Sequence, residues 1–215
     1  MFITFEGVEG SGKTTHIRAA AEYLQHRGYE CVITREPGAT KIGAKIRDIL
    51  LDPANKRLNS NAELLLYLAD RVQHIEEIIL PALSAGKIVL CDRFTDSTLA
   101  YQGYARGMNI NLIRNLHESA LPQLKPDMTI LADLSPEIGL QRKFQDKVET
   151  RFELETLPFH QKVRQGYLHL AALEPDRFRI IDASKPEPEV RQEIIRVIMR
   201  ALAGSQFVIP SIERD

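Results

Sequence analysis

The chain is 215 residues long, 44% hydrophobic and 27% charged, with a formal net charge of −1. That length buries most of its apolar surface around one core, and the composition is that of an ordinary soluble globular protein. The near-neutral balance excludes the strongly basic footprint that a nucleic-acid polymer partner leaves, while local basic clusters remain open to a small anionic ligand.

In chain order, Met1-Phe2-Ile3-Thr4-Phe5 enters a strand directly, over 2–6, without the basic stretch and long apolar run of a secretion signal. No segment reaches the roughly 18 apolar residues of a membrane span, so no membrane partner is expected and a reducing cytoplasm is the expected compartment. A glycine-rich loop follows at 7–14. Ile17, Ala21 and Leu24 then mark a helix face, with Gly28 placed to end that helix in the left-handed conformation. A second strand is read at 30–35. Leu64, Leu68, Val72, Ile75 and Ile79 keep helical period over one long helix, closed by Gly86. Strands follow at 87–91, 127–132 and 178–182, and Val190, Ile194, Val197 and Ala201 mark the last helix. Cys31 and Cys91 sit in strand-like runs and are read as buried free thiols rather than a disulfide or zinc site. Residues 142 to 153 are the most charged stretch, and 204–215 read as a tail. Strands alternating with helices predict an α/β fold in three layers, a parallel sheet of roughly five strands flanked by helices, in one domain spanning 1–215. Ligands of such sheets bind at the carboxyl ends of the strands.

Gly7-Val8-Glu9-Gly10-Ser11-Gly12-Lys13-Thr14 matches the phosphate-loop pattern G-x-x-x-x-G-K-[ST] in full, between a strand and a helix as that pattern requires. The loop amides and the helix N-terminus are expected to cradle the phosphates of ATP, with Thr15 opening the helix beside them. Lys13 reaches toward the β and γ phosphates in this reading, and the Thr14 hydroxyl ligates Mg²⁺. Glu9 is unusual in an anion-binding loop; it must point away from the phosphates, toward a sugar hydroxyl, the metal's water or solvent. The motif alone is shared by kinases, ATPases and GTPases. The string Asn55-Lys56-Arg57-Leu58 lacks the aspartate of a guanine reader, and the chain is short for a motor or transporter ATPase. A small kinase with a second substrate remains. Arg35, Arg47, Arg71 and Arg93 recur at strand or helix ends, and an arginine fork suits an acceptor that already carries phosphate.

Three further segments carry a resemblance. Thr34-Arg35-Glu36-Pro37-Gly38-Ala39-Thr40 resembles the REPGGT segment of the thymidylate kinase family, with Ala39 for the second glycine. Glu63-Leu64-Leu65-Leu66-Tyr67-Leu68-Ala69-Asp70-Arg71-Val72-Gln73-His74 is similar to that family's substrate-facing helix. Asp92-Arg93-Phe94, followed by Asp96-Ser97-Thr98-Leu99-Ala100-Tyr101-Gln102-Gly103, resembles its DR(Y/H) and S-x-AYQG segments. The match runs in order over roughly residues 1 to 185.

The resemblance implies a P-loop kinase fold and the reaction ATP + dTMP → ADP + dTDP. Glu9 is implied near the deoxyribose 3′-hydroxyl, Glu36 near the acceptor, and Arg47 and Arg93 at its phosphate. Tyr67 stands where an aromatic stacks on thymine. Arg71 and Gln102, with Ser97 or Thr98, are implied at the base edge, and Tyr101 against the sugar where a 2′-hydroxyl would sit. Tyr67 and Arg71 are four residues apart, about 40° round a helix, on a stripe separate from Leu64, Leu68 and Val72. The Glu36-Pro37 bond is expected to be cis. The resemblance is to the type whose phosphate loop lacks arginine, having Gly10, and whose lid carries it instead. That lid is placed at about 136–155, with Arg142, Lys143, Lys147 and Arg151 as its cations and Arg142 and Arg151 as catalytic candidates; Thr150 stands where an aspartate commonly precedes the arginine. Asp92 and Asp133 compete to hold the metal's water shell, and Asp92 is favoured because Arg93 beside it belongs to the matched segment. An acceptor phosphate needs no general base, because its second pKa is about 6. A kinase acting on thymidine itself would need one, from Glu36 or Asp92; a non-catalytic nucleotide-binding module is the other alternative. A homodimer through the helices near 60–80 and 95–120 is implied by the resemblance alone.

Overall fold

A computed structural model describes residues 1–121, 124–143 and 150–204 of the chain. Lys147 and residues 205–215 of the tail lie outside the described residues. Five strands, β1 (Phe2–Glu6), β2 (Cys31–Arg35), β3 (Ile88–Asp92), β4 (Met128–Asp133) and β5 (Phe178–Asp182), form one parallel sheet in the order β2-β3-β1-β4-β5. Helices cover both faces, as the alternation of strand and helix periods predicts.

Side chains of the central strands alternate between two cores, as period two demands. Ile3, Phe5, Ile88, Leu90, Met128 and Ile130 face α1 (Lys13–Gln25) and α9 (Glu187–Gly204). Phe2, Val89 and Cys91 face the opposite layer with Ile75 and Ile79. Thr4 and Thr129 point away from the α1 and α9 face, and their buried hydroxyls bond each other at 2.8 Å. The edge strands are only half covered, leaving Ile33 and Ile180 exposed. Gly28 and Gly86 take φ of +86° and +72°, the left-handed conformation expected of them.

One expected element is divided. The helical period from Leu64 to Ile79 predicts one continuous helix, but α3 (Ser60–His74) passes into a π-helical turn, Ile75–Ile79, before α4 (Leu80–Ser84). Pro81 accounts for this: its ring clashes with the carbonyl four residues back and it has no N–H to donate, so the ladder widens and Leu80 N reaches Ile75 O. A second π turn, Leu99–Ala105, follows the short α5 (Thr95–Thr98) and closes with Arg106 N on Tyr101 O. The remaining helices are α2 (Lys41–Leu51), α6 (Ile110–Ala120), α7 (Pro136–Lys143) and α8 (Leu157–Leu173). No helix among the described residues is long and apolar enough to cross a membrane.

From β1 the chain turns to β2 on one side, and from β3 it crosses to β4 on the other. The carboxyl ends of β1 and β3 therefore flank the switch point where open α/β sheets hold ligands.

Candidate active site

A cavity of about 780 Å³ opens at that switch point. Its floor at one end is the loop after β1. Gly7, Gly10 and Gly12 adopt φ of +139°, +70° and +82°, values that a side chain would strain, and they fold the loop back on itself. No side chain caps α1 at Gly12, so its first-turn amides are left to an incoming anion. Lys13 Nζ donates to Gly7 O and Val8 O, both at 2.9 Å, and Ser11 Oγ donates to Val8 O at 2.8 Å. Burial first, and Arg93 second, bring the Lys13 pKa down to about 8. Phosphate oxygens in the loop would supply the counter-charge it lacks. Glu9, Gly10, Gly12, Lys13, Thr14 and Thr15 line the cavity, whereas Gly7, Val8 and Ser11 shape the loop from behind.

Thr14 Oγ1 donates to Asp92 Oδ2 at 2.7 Å, joining the start of α1 to the end of β3. Asp133, the competing strand-end carboxylate, is taken up by a two-pronged pair with Arg164 at 2.7 and 2.8 Å and does not line the cavity. The geometry thus separates two candidates that spacing left close.

Arg93 follows β3 with φ of +72°, the only non-glycine residue with positive φ among the described residues. Such a conformation is uncommon for a bulky side chain. It turns the guanidinium back over the Tyr101 ring, 5.0 Å from its centroid, to reach Glu9 Oε1 at 3.2 Å and Tyr167 Oη at 3.1 Å. Tyr101 Oη also donates to Glu9 Oε1, at 2.6 Å, and His160 Nδ1 lies 3.2 Å from Glu9 Oε2. Burial opposes ionisation of Glu9, but His160, Arg93 and Lys13 outweigh it and hold the carboxyl well below the usual range.

The far wall comes from α3, the turn after β2 and the segment after β3. The Glu36-Pro37 bond is cis. Glu36 accepts from Arg71 Nε at 2.7 Å and pairs with His74 Nδ1 at 2.9 Å. Arg71, 1% exposed, also reaches Thr98 Oγ1, His117 Nε2 and Phe94 O. Burial and the neighbouring Arg71 charge push His117 down to about 3, so it accepts from Arg71 as a neutral ring. Arg47 donates to Pro37 O at 2.8 Å, and Tyr67 faces Phe152 with ring centroids 6.4 Å apart. Glu36, Arg47, Tyr67, Arg71, Arg93, Ser97, Thr98, Tyr101 and Gln102 all line the cavity; Arg35 is exposed and does not.

The two catalytic lid candidates part company. Arg142 lines the cavity and reaches Gly10 O at 3.4 Å. Arg151 turns inward instead, donating to Glu63 Oε2 at 2.5 Å and to Leu50 O at 3.0 Å, and does not line the cavity. The expectation of a phosphate-facing arginine at 151 is therefore not met in this conformation: a buried carboxylate holds it away from the loop.

Sequence reading passed over several residues that shape the site. Glu6 ends β1 fully buried and accepts from Phe94 N, Ser97 Oγ and Tyr167 Oη. Burial, then Asp96, raises its pKa to about 7. Its place at the carboxyl end of the central strand was the available signal. Glu63, His160 and Tyr167 were within reach only as polar residues on otherwise apolar helix faces.

A family model described as thymidylate kinase matches residues 5–194. The chain belongs to the thymidylate kinase family. It is 54% identical to a thymidylate kinase of Desulforapulum autotrophicum over 94% of this chain and 92% of that protein. To a thymidylate kinase of Bacillus pumilus it is 48% identical, over 96% and 99% of the two chains. The crystal structure of thymidylate kinase from Ehrlichia chaffeensis superposes with a TM-score of 0.75 at 36% identity, covering 93% of this chain and 98% of that one. For a thymidylate kinase family member the cavity has two ends to account for, one lined by the phosphate loop and one by arginines and aromatic rings.

Proposed function

We propose that this enzyme transfers the γ-phosphoryl group of ATP to dTMP, giving ADP and dTDP, within a single nucleotide-kinase domain. The observation that carries the reading is the continuity of the cavity, which runs without a break from the phosphate loop to Arg47, Tyr67, Arg71, Tyr101 and Gln102. Donor and acceptor can then meet in line in one cavity, and positioning with charge neutralisation is the whole of the catalytic task.

The dTMP phosphate is already largely ionised at neutral pH, with a second pKa of about 6, so attack needs no general base. Lys13 and Arg142 lie at the loop end to offset charge that builds up on the transferring group, and Arg47 and Arg93 face the acceptor phosphate. Glu9, held ionised by its three neighbours, accepts a hydrogen bond from the sugar hydroxyl. The Tyr101 ring is wedged between Phe152, Phe159 and Tyr167 at centroid distances of 5.6, 6.1 and 6.3 Å, which makes it a rigid wall against the sugar. The Thr14 hydroxyl and Asp92 carboxylate suit Mg²⁺, a hard cation that keeps most of its waters and binds through one or two protein oxygens. When bound there, Mg²⁺ would supply positive charge to offset that of the ATP phosphates. Of the lid segment at about 136–155, Arg142 serves the phosphates and Arg151 anchors the lid's trailing end on Glu63. Exposed Leu65 on α3 and Leu112 on α6 support a homodimer, for which light scattering should give twice the 24.4 kDa chain mass.

The test is an ADP-release assay with Mg-ATP against dTMP, thymidine, dUMP, dGMP and dAMP in parallel. Turnover with dTMP, and dUMP well behind, is the expected result. Turnover with thymidine but not dTMP would overturn both the assignment and the base-free mechanism.

A further inference from the structure

Glu63 lies on α3 fully enclosed, and three donors meet its carboxylate. Gln102 Nε2 reaches Oε1 at 2.7 Å, Arg106 Nε reaches Oε1 at 2.8 Å, and an Arg151 NH2 group reaches Oε2 at 2.5 Å. A carboxylate has lone pairs and no proton to give. Gln102 must therefore turn its amino group toward Glu63. Its carbonyl oxygen makes no other hydrogen bond among the described residues and is left to the cavity that Gln102 lines.

We infer that Glu63 is a positioning residue that sets which base the acceptor site takes, by locking Gln102 as a hydrogen-bond acceptor against the base edge. The inference rests on the proposed placement of the base beside Gln102. A thymine or uracil edge carries an N3–H between two carbonyls, so the locked Gln102 oxygen receives that hydrogen. Arg71 supplies the matching donor. Its Nε and both NH1 hydrogens are committed to Glu36, Thr98 and His117, and one NH2 hydrogen to Phe94 O, which leaves one NH2 hydrogen for a base carbonyl. Cytosine reverses the pattern, with a lone pair at N3 and an amino group at C4. Against the locked Gln102 it sets lone pair against lone pair, and against Arg71 donor against donor. Selectivity of this kind comes from the unpaired groups imposed on the wrong base.

A glutamine at 63 removes the constraint. Its amide can donate to the Gln102 oxygen, and a turned Gln102 then presents its amino group to cytosine N3. The charge of Glu63 is what forbids that second arrangement.

The experiment measures kcat/KM for dTMP and for dCMP in the wild type, Glu63→Gln, Gln102→Ala and the double variant. Glu63→Gln is expected to lower the dTMP:dCMP ratio by at least about tenfold, the order of one mispaired buried hydrogen bond, with an absolute gain on dCMP. In the Gln102→Ala background the same change should leave the ratio where Gln102→Ala put it. Because the amide NH2 that Glu63→Gln turns toward Gln102 also meets the Arg106 Nε donor, the pair Glu63→Gln with Arg106→Gln is measured beside it, and Arg106→Gln alone should keep the wild-type ratio. A loss of packing alone lowers both substrates together and leaves the ratio intact, which overturns the inference. If Gln102→Ala collapses the ratio while both Glu63 variants keep it, the inference about Glu63 fails and the base placement stands. If Gln102→Ala leaves the ratio unchanged, the base placement fails and takes the inference with it.

Discussion

Replacing Gly139 with alanine measures how closely α7 must sit on the phosphate loop. Gly139 lies inside α7 without a positive φ, so helix propensity alone favours alanine there by about 1 kcal/mol. The packing says otherwise. A Cβ on Gly139 would collide with the Glu9 carbonyl oxygen, and a Cβ on Gly10 would collide with the Gly139 carbonyl oxygen, so the two backbones touch with no side chain between them. Ordinary contact for a Cβ begins at 3.4 Å, and restoring it requires α7 or the loop to retreat by about 1 Å. A misplacement of about 1 Å costs on the order of a hundredfold in rate when it reaches the reacting groups. Gly139→Ala should therefore lower kcat/KM for ATP by that order, leave KM for dTMP within about twofold, and shift Tm little, since propensity gain offsets the contact. Steady-state kinetics with each substrate varied in turn, together with thermal unfolding, separates these effects. Gly204→Ala, where an added Cβ meets nothing within 4 Å, is the control. Wild-type kinetics for ATP in Gly139→Ala would show that α7 does not set the position of the loop.

Tyr101→Phe keeps the ring and deletes the 2.6 Å bond to Glu9. A hydrogen bond to a charged group is worth about 1.5–3 kcal/mol, so kcat/KM for dTMP should fall roughly ten- to a hundredfold with ATP affinity retained; an unchanged kcat/KM for dTMP would show that this bond does not position Glu9 for the acceptor. Glu6 gives a pH signature. Its folded pKa of about 7 lies above the ordinary 4.5, so the folded state holds this proton more tightly than the unfolded chain. Its favourable contribution is full below pH 4.5 and is lost as pH rises through 7. Relative to Glu6→Gln, the wild type should lose about 3 kcal/mol of stability between pH 4.5 and 8 in denaturant titrations, and parallel pH profiles would contradict the raised pKa.

Much of the scaffold was legible because its signals are local. The short β-branched, apolar runs at Phe2–Glu6 and Ile88–Asp92, the glycine pattern of 7–14 and the stops at Gly28 and Gly86 each need only a few neighbouring residues to declare themselves. The π turn at Ile75–Ile79 escaped because helical period continues through it, and only the backbone consequence of Pro81 reveals it. The site was legible by motif wherever its residues follow strand ends. Pairings between distant segments were not. Arg151 and Glu63 are 88 residues apart, and nothing in a run of charges says which arginine turns inward. His160 lies on a helix otherwise buried among apolar residues, where a histidine reads as core until the Glu9 carboxylate is seen opposite it.

The pairing pattern separates the site's cations by task in a way their spacing does not. Arg71 is tied to Glu36, Arg93 to Glu9, and Arg106 and Arg151 to Glu63. Each of these guanidinium groups already has a carboxylate, so each is fixed in place before any ligand enters and keeps only part of its charge for one. Among the described residues, Lys13, Arg47 and Arg142 pair with no carboxylate and rest on backbone carbonyls. Carbonyl oxygens are neutral and are readily exchanged for phosphate oxygens, which carry charge. Under the proposed function the paired arginines, Arg93 included, meet a ligand with their direction already set, and Lys13, Arg47 and Arg142 meet it with only exchangeable carbonyl partners. Lys13 and Arg142 line the loop end of the cavity and Arg47 its far wall, so cations without a carboxylate partner stand at both ends of it.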